Sequence, residues 1–260
     1  MAGRRQLLRG CALSLADDIL REIRAARDWE ALRTVTRDFT DELGFRHFAL
    51  ITHEDHRHPG LGAVNLRDYP LGAVRRIIGQ CAYRRDPVTR GASVAETAYL
   101  WSDIRSLITM GQEERAAFEL GRREGLDEGI TVPCRRLGLA LGSCTFAGLK
   151  ARRTAEPMLG PAQMFGVFAF QRARILAGAI VIPAHPPRLA PRYRDCVVLA
   201  GQGLGDKIIA HRLGLTPRTV ESYLRDARKL FDARDRCDLV SSALLHGEID
   251  LAELRKRQGP

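Results

Sequence analysis

The sequence predicts an α+β chain, with helices around an antiparallel sheet in the N-terminal part and an all-α C-terminal part. Three observations predict it. Up to about residue 178, helix-spaced apolar residues are interleaved with short hairpin-like strands. Pro183, Pro186 and Pro187 then fall within five positions, a density that no helix tolerates and that favours an extended linker. Beyond them the apolar pattern is mostly helical. The expected organisation is therefore a first domain at 1–178, a linker at 179–188 and a second domain at 189–260.

Taken in order, residues 13–43 place Leu15, Ile19, Ile23, Ala26, Leu32, Val35, Phe39 and Leu43 at helical spacing. Ser14 with Asp17 resembles a capping pair, and Gly44 a stop. Phe45–Thr52 reads as a strand, and after a polar turn a second strand is expected around Gly62–Leu66. Helices are expected from Pro70 to about Tyr83 and from Gln112 to Glu124. Strands Gly129–Cys134 and Leu141–Leu149 follow, then a long apolar helix over Pro161–Ala177.

After the linker, Leu189-Ala190-Pro191 opens a helix carrying Val197, Val198 and Leu199, which Gly201 and Gly203 end. A second helix is expected over Asp206–Leu213, with Gly214-Leu215 as a tight turn. Thr216 suits an N-cap and Pro217 the first position of a third helix. Val220, Leu224, Ala227 and Leu230 form one apolar stripe on it. Arg218, Glu221, Ser222, Arg225 and Lys229 lie on another face, and a packed back with a basic front suits the DNA major groove.

Charge agrees with a polyanionic partner. The chain carries 41 basic and 31 acidic residues, a net charge of +10, and nearly all the basic ones are Arg. Cys11, Cys81, Cys134, Cys144, Cys196 and Cys237 form no CxxC pair and no zinc-finger spacing, so reduced thiols and no metal are expected. No signal peptide and no apolar run of membrane-span length is evident, which predicts a soluble cytoplasmic protein. The run His53-Glu54-Asp55-His56-Arg57-His58 matches no metal-ligand spacing and reads as a solvated loop. With no Gly-rich phosphate loop and no nucleophile elbow, a non-enzymatic protein is expected.

The second domain resembles a known family. Leu189-Ala190-Pro191-Arg192, Gly203, Ile209-Ala210, Leu213-Gly214-Leu215-Thr216, Thr219-Val220 and Lys229-Leu230 are similar to the LuxR-type four-helix DNA-binding domain, over roughly Leu189–Val240. Tyr193 and Ile208 stand where that family usually has acids. The resemblance implies a helix-turn-helix that binds a double-stranded DNA operator through Arg218, Thr219, Glu221, Ser222, Arg225 and Lys229. Arg218 and Arg225 fall at base-reading positions. Glu221 falls where relatives often carry a basic reader, which implies an operator preference of its own.

Tyr69-Pro70, Asp86-Pro87-Val88, Trp101-Ser102-Asp103 and Gly125-Leu126 with Gly129-Ile130-Thr131-Val132-Pro133 resemble the acyl-homoserine-lactone-binding domain, across most of residues 10–178. That resemblance implies an α/β/α sandwich and a pocket for a small signal. Asp86 would accept the ligand amide and Tyr69 donate to its acyl carbonyl, with Thr145 a polar helper and Trp101 packed above the head group. Val88, Ile130, Val132 and Phe146 would be wall or neighbouring core. Ala73 and Ile77 replace two aromatic residues, so either the head group differs or the protein's own side chains fill the space. Together these resemblances imply a LuxR-type quorum-sensing regulator, dimeric on a palindromic operator and controlled by an acyl-homoserine lactone or related signal. The alternative is a solo regulator of that type acting without a ligand or with a non-lactone one. A two-component response regulator fits poorly, because Asp17-Asp18 sit in a helical pattern rather than at a strand end.

Overall fold

Asp28 is the first place where local chemistry divides the expected pattern. In the computed structural model, which describes residues 17–60, 62–76, 85–150, 154–179 and 187–255, the stretch expected as one helix over 13–43 is two: α1 (residues 17–25) and α2 (Trp29–Glu42). Asp28 has extended backbone and its carboxylate accepts from the Ala31 amide at 2.8 Å, capping α2 and interrupting the path from α1. Ser14 lies outside the described residues.

The chain divides into two compact units, Met1–Val181 and Ile182–Pro260. Residues 180–186 of the expected linker lie outside the described residues. In the first unit, β1 spans Phe45–Thr52 as expected. The second strand is shifted: Gly62 takes a left-handed φ of 76°, which places it in the turn, and β2 is Asn65–Arg67. Helix α3 is Leu71–Val74; the rest of the helix expected to Tyr83 falls, from Ile77 on, outside the described residues. Then come α4 (Pro87–Val94), β3 (Tyr99–Leu100), α5 (Ile104–Leu107), α6 (Gln112–Arg123), β4 (Gly129–Cys134), β5 (Gly142–Leu149) and α7 (Leu159–Leu176).

The sheet is antiparallel throughout, in the order β2-β1-β5-β4-β3. Alternation sends neighbouring side chains to opposite faces. Phe48, Leu50, Ile130, Val132, Cys144 and Phe146 enter the main core with Leu32 and Phe39 of α2 and Phe165, Ala169 and Phe170 of α7. The intervening residues face α3–α6. Along that face Ala49 pairs with Thr145, Thr145 with Thr131 and Thr131 with Tyr99, making one row across four strands. One glycine is needed here: a Cβ at Gly129 would lie 2.7 Å from the Trp101 ring.

The second unit packs α8 (Pro191–Gly201), α9 (Asp206–Leu213), α10 (Pro217–Leu230), α11 (Arg236–Leu245) and the short α12 (Leu251–Leu254). Its core joins Cys196, Val197, Ile209, Val220, Leu224, Ala227, Phe231 and Leu239. Arg194 fixes the C-terminal end by forking onto Glu253 at 2.8 and 2.7 Å.

Candidate functional site

Tyr69, Asp86, Val88, Trp101 and Thr145 line one cavity between the sheet and α3–α6, together with Ala49, Ile51, His53, Arg76, Phe118, Leu126 and Ser143. Each expected polar residue is placed by its element. Asp86 is the N-cap of α4: its carboxylate accepts from the Thr89 amide at 2.9 Å, ahead of Pro87 in the first turn. Capping and cavity lining are thus both roles of this side chain. Burial pushes its pKa above the ordinary 3.8, against the hydrogen bonds from Thr89 and the nearby charge of Arg76.

Tyr69 follows β2 at the cavity wall. Burial and then the charge of Asp86 raise its phenol pKa, opposed by a hydrogen bond with Thr145, so it is a neutral donor. Trp101 is buried, and its indole N–H donates to Thr131 Oγ1 at 2.9 Å, with Thr145 Oγ1 a further 3.1 Å on. Tyr99 is held in the same row, its hydroxyl donating to the Val88 carbonyl. The result is a cavity with a carboxylate acceptor, a phenol donor and aromatic and aliphatic walls, a set that suits an amide carrying an apolar tail.

Ala73 is fully buried, packed in a cluster with Ala92, Tyr99, Trp101 and Ile104, and does not line the cavity. Ile77 lies outside the described residues. Ile130, Val132 and Phe146 belong to the opposite face of the sheet and are core rather than wall.

The histidine run is a loop with Arg57 and His58 exposed, as expected, but His53 and His56 depart from a solvated reading. His53 is not solvated: it lines the cavity, its Nε2 lies 2.9 Å from Ser143 Oγ, and burial followed by nearby His56 lowers its pKa to about 4. His56 lines the cavity too, its Nε2 bonded to the Thr52 carbonyl at 2.8 Å. Among the described residues no group of His, Cys, Asp and Glu could hold a metal ion. Arg76 was also unforeseen; it pairs with Glu124 at 2.6 Å beside Asp86, and its Nε is enclosed without a partner. Ser143 had a signal, since it shares a strand face with Thr145 two residues away.

In the second unit, Gly214 takes φ 65° between α9 and α10, the left-handed turn residue that joins the two helices. Thr216 caps α10, accepting from the Thr219 amide at 3.1 Å, and the Thr219 hydroxyl bonds back to it at 2.8 Å. Val220, Leu224 and Ala227 are buried, but Leu230 is 46% exposed and Phe231 takes its place in the core, because the helix ends there. Arg218, Glu221, Arg225 and Lys229 are exposed, and Ser222, half-buried, accepts from Arg225 Nη2 at 3.0 Å. Of the two departures, Tyr193 packs edge-on to Tyr223 at 4.7 Å, and Ile208 is 51% exposed.

Residues 28–173 match the autoinducer binding domain family, and 187–231 match sigma-70 region 4, a helix-turn-helix. The chain is 25% identical to the transcriptional activator protein TraR of Agrobacterium vitis, over 82% of this chain and 89% of that protein. It is 28% identical to the quorum sensing-dependent transcriptional regulator RpaR of Rhodopseudomonas palustris, over 64% and 67%. The fold matches a crystal structure of Escherichia coli SdiA at TM-score 0.60 and 17% identity, over 91% of this chain and 98% of that one. An SdiA structure in complex with octanoyl-rac-glycerol matches at 0.58 and 17%, over 90% and 95%. The chain belongs to the autoinducer-binding-domain family and is a DNA-binding LuxR-type quorum-sensing transcription regulator, not an enzyme.

Proposed function

We propose that an acyl-homoserine lactone or closely related acylated signal, seated in the cavity of the first unit, controls operator binding by the second. The observation that carries this is the convergence of Tyr69, Asp86, Thr145 and Trp101 on one cavity with apolar walls. Asp86 accepts the signal's amide N–H, Tyr69 and Thr145 serve its acyl carbonyl, Val88 flanks the chain and Trp101 packs above the head group. The SdiA complex with octanoyl-rac-glycerol supports a cavity for acylated molecules in this fold. In this reading 1–178 is the sensor and dimerisation domain, 179–188 the linker and 189–260 the DNA-binding domain.

The working form is a cytoplasmic homodimer on a palindromic operator, since one recognition helix reads few base pairs. Val167 and Ile175 of α7 are both 42% exposed, and Met164 and Phe168 are half-buried beside them, an apolar stripe suited to pairing. Arg218 and Arg225 read bases, Glu221 and Ser222 adjust the choice, Lys229 contacts phosphate, and Thr219 orders the start of α10. Light scattering of the full chain with and without operator DNA tests the dimer, and a monomer in both states contradicts it. Calorimetry with N-octanoyl-homoserine lactone and the Tyr69→Phe variant tests the cavity, with weaker binding expected for the variant.

A further inference from the structure

We propose that His53 and Ser143 form a second polar anchor in the cavity, which takes a hydroxyl group carried far down the acyl tail of the signal. This rests on the acylated-signal reading above and adds what the tail must bear.

His53 is held once at its backbone and once at its ring. Its backbone N–H donates to the Leu141 carbonyl at 2.6 Å, extending the ladder in which Ile51 pairs with Ser143, and its Nε2 meets Ser143 Oγ at 2.9 Å. Its Nδ1 is enclosed and has no hydrogen-bond partner. Two nearby polar groups are engaged elsewhere: Thr52 Oγ1 exchanges hydrogen bonds with the Val64 N–H and C=O at 3.1 and 3.3 Å, and His56 Nε2 bonds to the Thr52 carbonyl. An enclosed, unpaired ring nitrogen is costly, and since the His53 side chain lines the cavity, a ligand group that displaces the ring enough to reach Nδ1 would satisfy it.

The chemistry of that contact is restricted. Burial, with His56 nearby, keeps His53 neutral, so one ring nitrogen donates and the other accepts. Ser143 can take either role towards Nε2. A hydroxyl, both donor and acceptor, pairs with Nδ1 in either tautomer, whereas a carbonyl pairs with one only. A carboxylate would be buried there without a cation, because Arg76, the one Lys or Arg among the described cavity-lining residues, is paired with Glu124. Position follows from the strand. Ser143 and Thr145 lie two residues apart on one face of β5, about 7 Å along it. The hydroxyl therefore belongs roughly five or six bonds beyond the acyl carbonyl, where a plain chain would offer only methylenes.

The test is calorimetry of the full chain with two probes, N-octanoyl-homoserine lactone and the same lactone hydroxylated on the sixth acyl carbon. The hydroxylated probe is expected to bind roughly three to ten times more tightly, as one buried hydrogen bond predicts. In His53→Leu that preference should vanish, the two probes then binding with equal affinity. Ser143→Ala, which frees Nε2 without disturbing the ring's volume, should reduce the preference and serves if His53→Leu does not fold. Equal affinity of the two probes for the native protein, or a preference that survives His53→Leu, overturns the anchor and leaves the acylated-signal reading standing. Binding of neither probe contradicts that reading, and the anchor falls with it.

Discussion

The indole N–H of Trp101 donates to Thr131 Oγ1 at 2.9 Å, so the tryptophan that lines the cavity is bonded to the sheet beneath it. Its contribution to signal binding is therefore the shape of its ring rather than a hydrogen bond. Trp101→Phe should cost about 1–3 kcal/mol in stability, from the lost bond to a buried hydroxyl and the smaller ring. Denaturant unfolding checks this. Unchanged stability with a tenfold or greater loss of signal binding would mean that the indole N–H serves the ligand instead.

Asp86→Asn separates two roles of one side chain. Asparagine caps helices as well as aspartate, so α4 should keep its start while the carboxylate acceptor is lost. Because burial raises its pKa, Asp86 binds its proton more readily folded than unfolded. Its contribution to stability is full below its ordinary 3.8 and is lost as pH rises through the raised folded value. Above that value Asp86→Asn should stabilise the ligand-free protein, and the gain should disappear as pH is lowered towards 3.8. Melting temperatures across pH check the sign, and destabilisation by the variant at neutral pH would contradict it.

Ala73→Trp tests how the space left by the smaller side chain is filled. Ala73 is fully buried among Tyr99, Trp101, Ile104 and Leu126 rather than facing the cavity. An indole there should overpack that cluster, at a cost of about 1–3 kcal/mol, and lower the melting temperature of the ligand-free protein. A variant as stable as the native protein that binds N-octanoyl-homoserine lactone more tightly would show the space to be open.

The sequence was most legible where one run or one cap decides the structure. Phe45–Thr52, a run with Phe, Ile and Thr between Gly44 and a polar stretch, is β1. Thr216-Pro217 starts α10 because the hydroxyl and the ring each satisfy an end condition of the helix. The break at Asp28 was hidden because Ala26 and Leu32 continue the apolar spacing across it. Helices α4 and α5 and strand β3 are too short for periodicity to register. Tyr69, Asp86, Trp101 and Thr145 were reached through resemblance, and sheet alternation from Thr145 could have added Ser143. His53 was missed because a run of polar residues looks the same whether it is solvated or folded back on a cavity. Only the pairing of His53 with Leu141 and Ser143 distinguishes these.

On α10, Arg225→Ala and Lys229→Ala should differ in kind. Both side chains are exposed, but Arg225 is braced by Ser222 at 3.0 Å in the middle of the helix, whereas Lys229 lies in its last turn. Loss of a base contact should cost about 1–3 kcal/mol and relax sequence choice, whereas loss of a phosphate contact should weaken all sequences alike and lower the salt slope by about one. Titrations of operator and unrelated DNA at several salt concentrations distinguish them. Equal loss of specificity in both variants would overturn the assignment.

The most direct test of the central claim is mass spectrometry of small molecules extracted from the full chain, purified from cells that make acyl-homoserine lactones. Operator binding is measured on the same preparations. An acylated amide near one molecule per chain is expected in the native protein, at least tenfold depleted in Asp86→Asn and Tyr69→Phe, with operator binding changing in step. A stable native protein that binds its operator with no extractable ligand, and is unaffected by either substitution, would contradict control through this cavity.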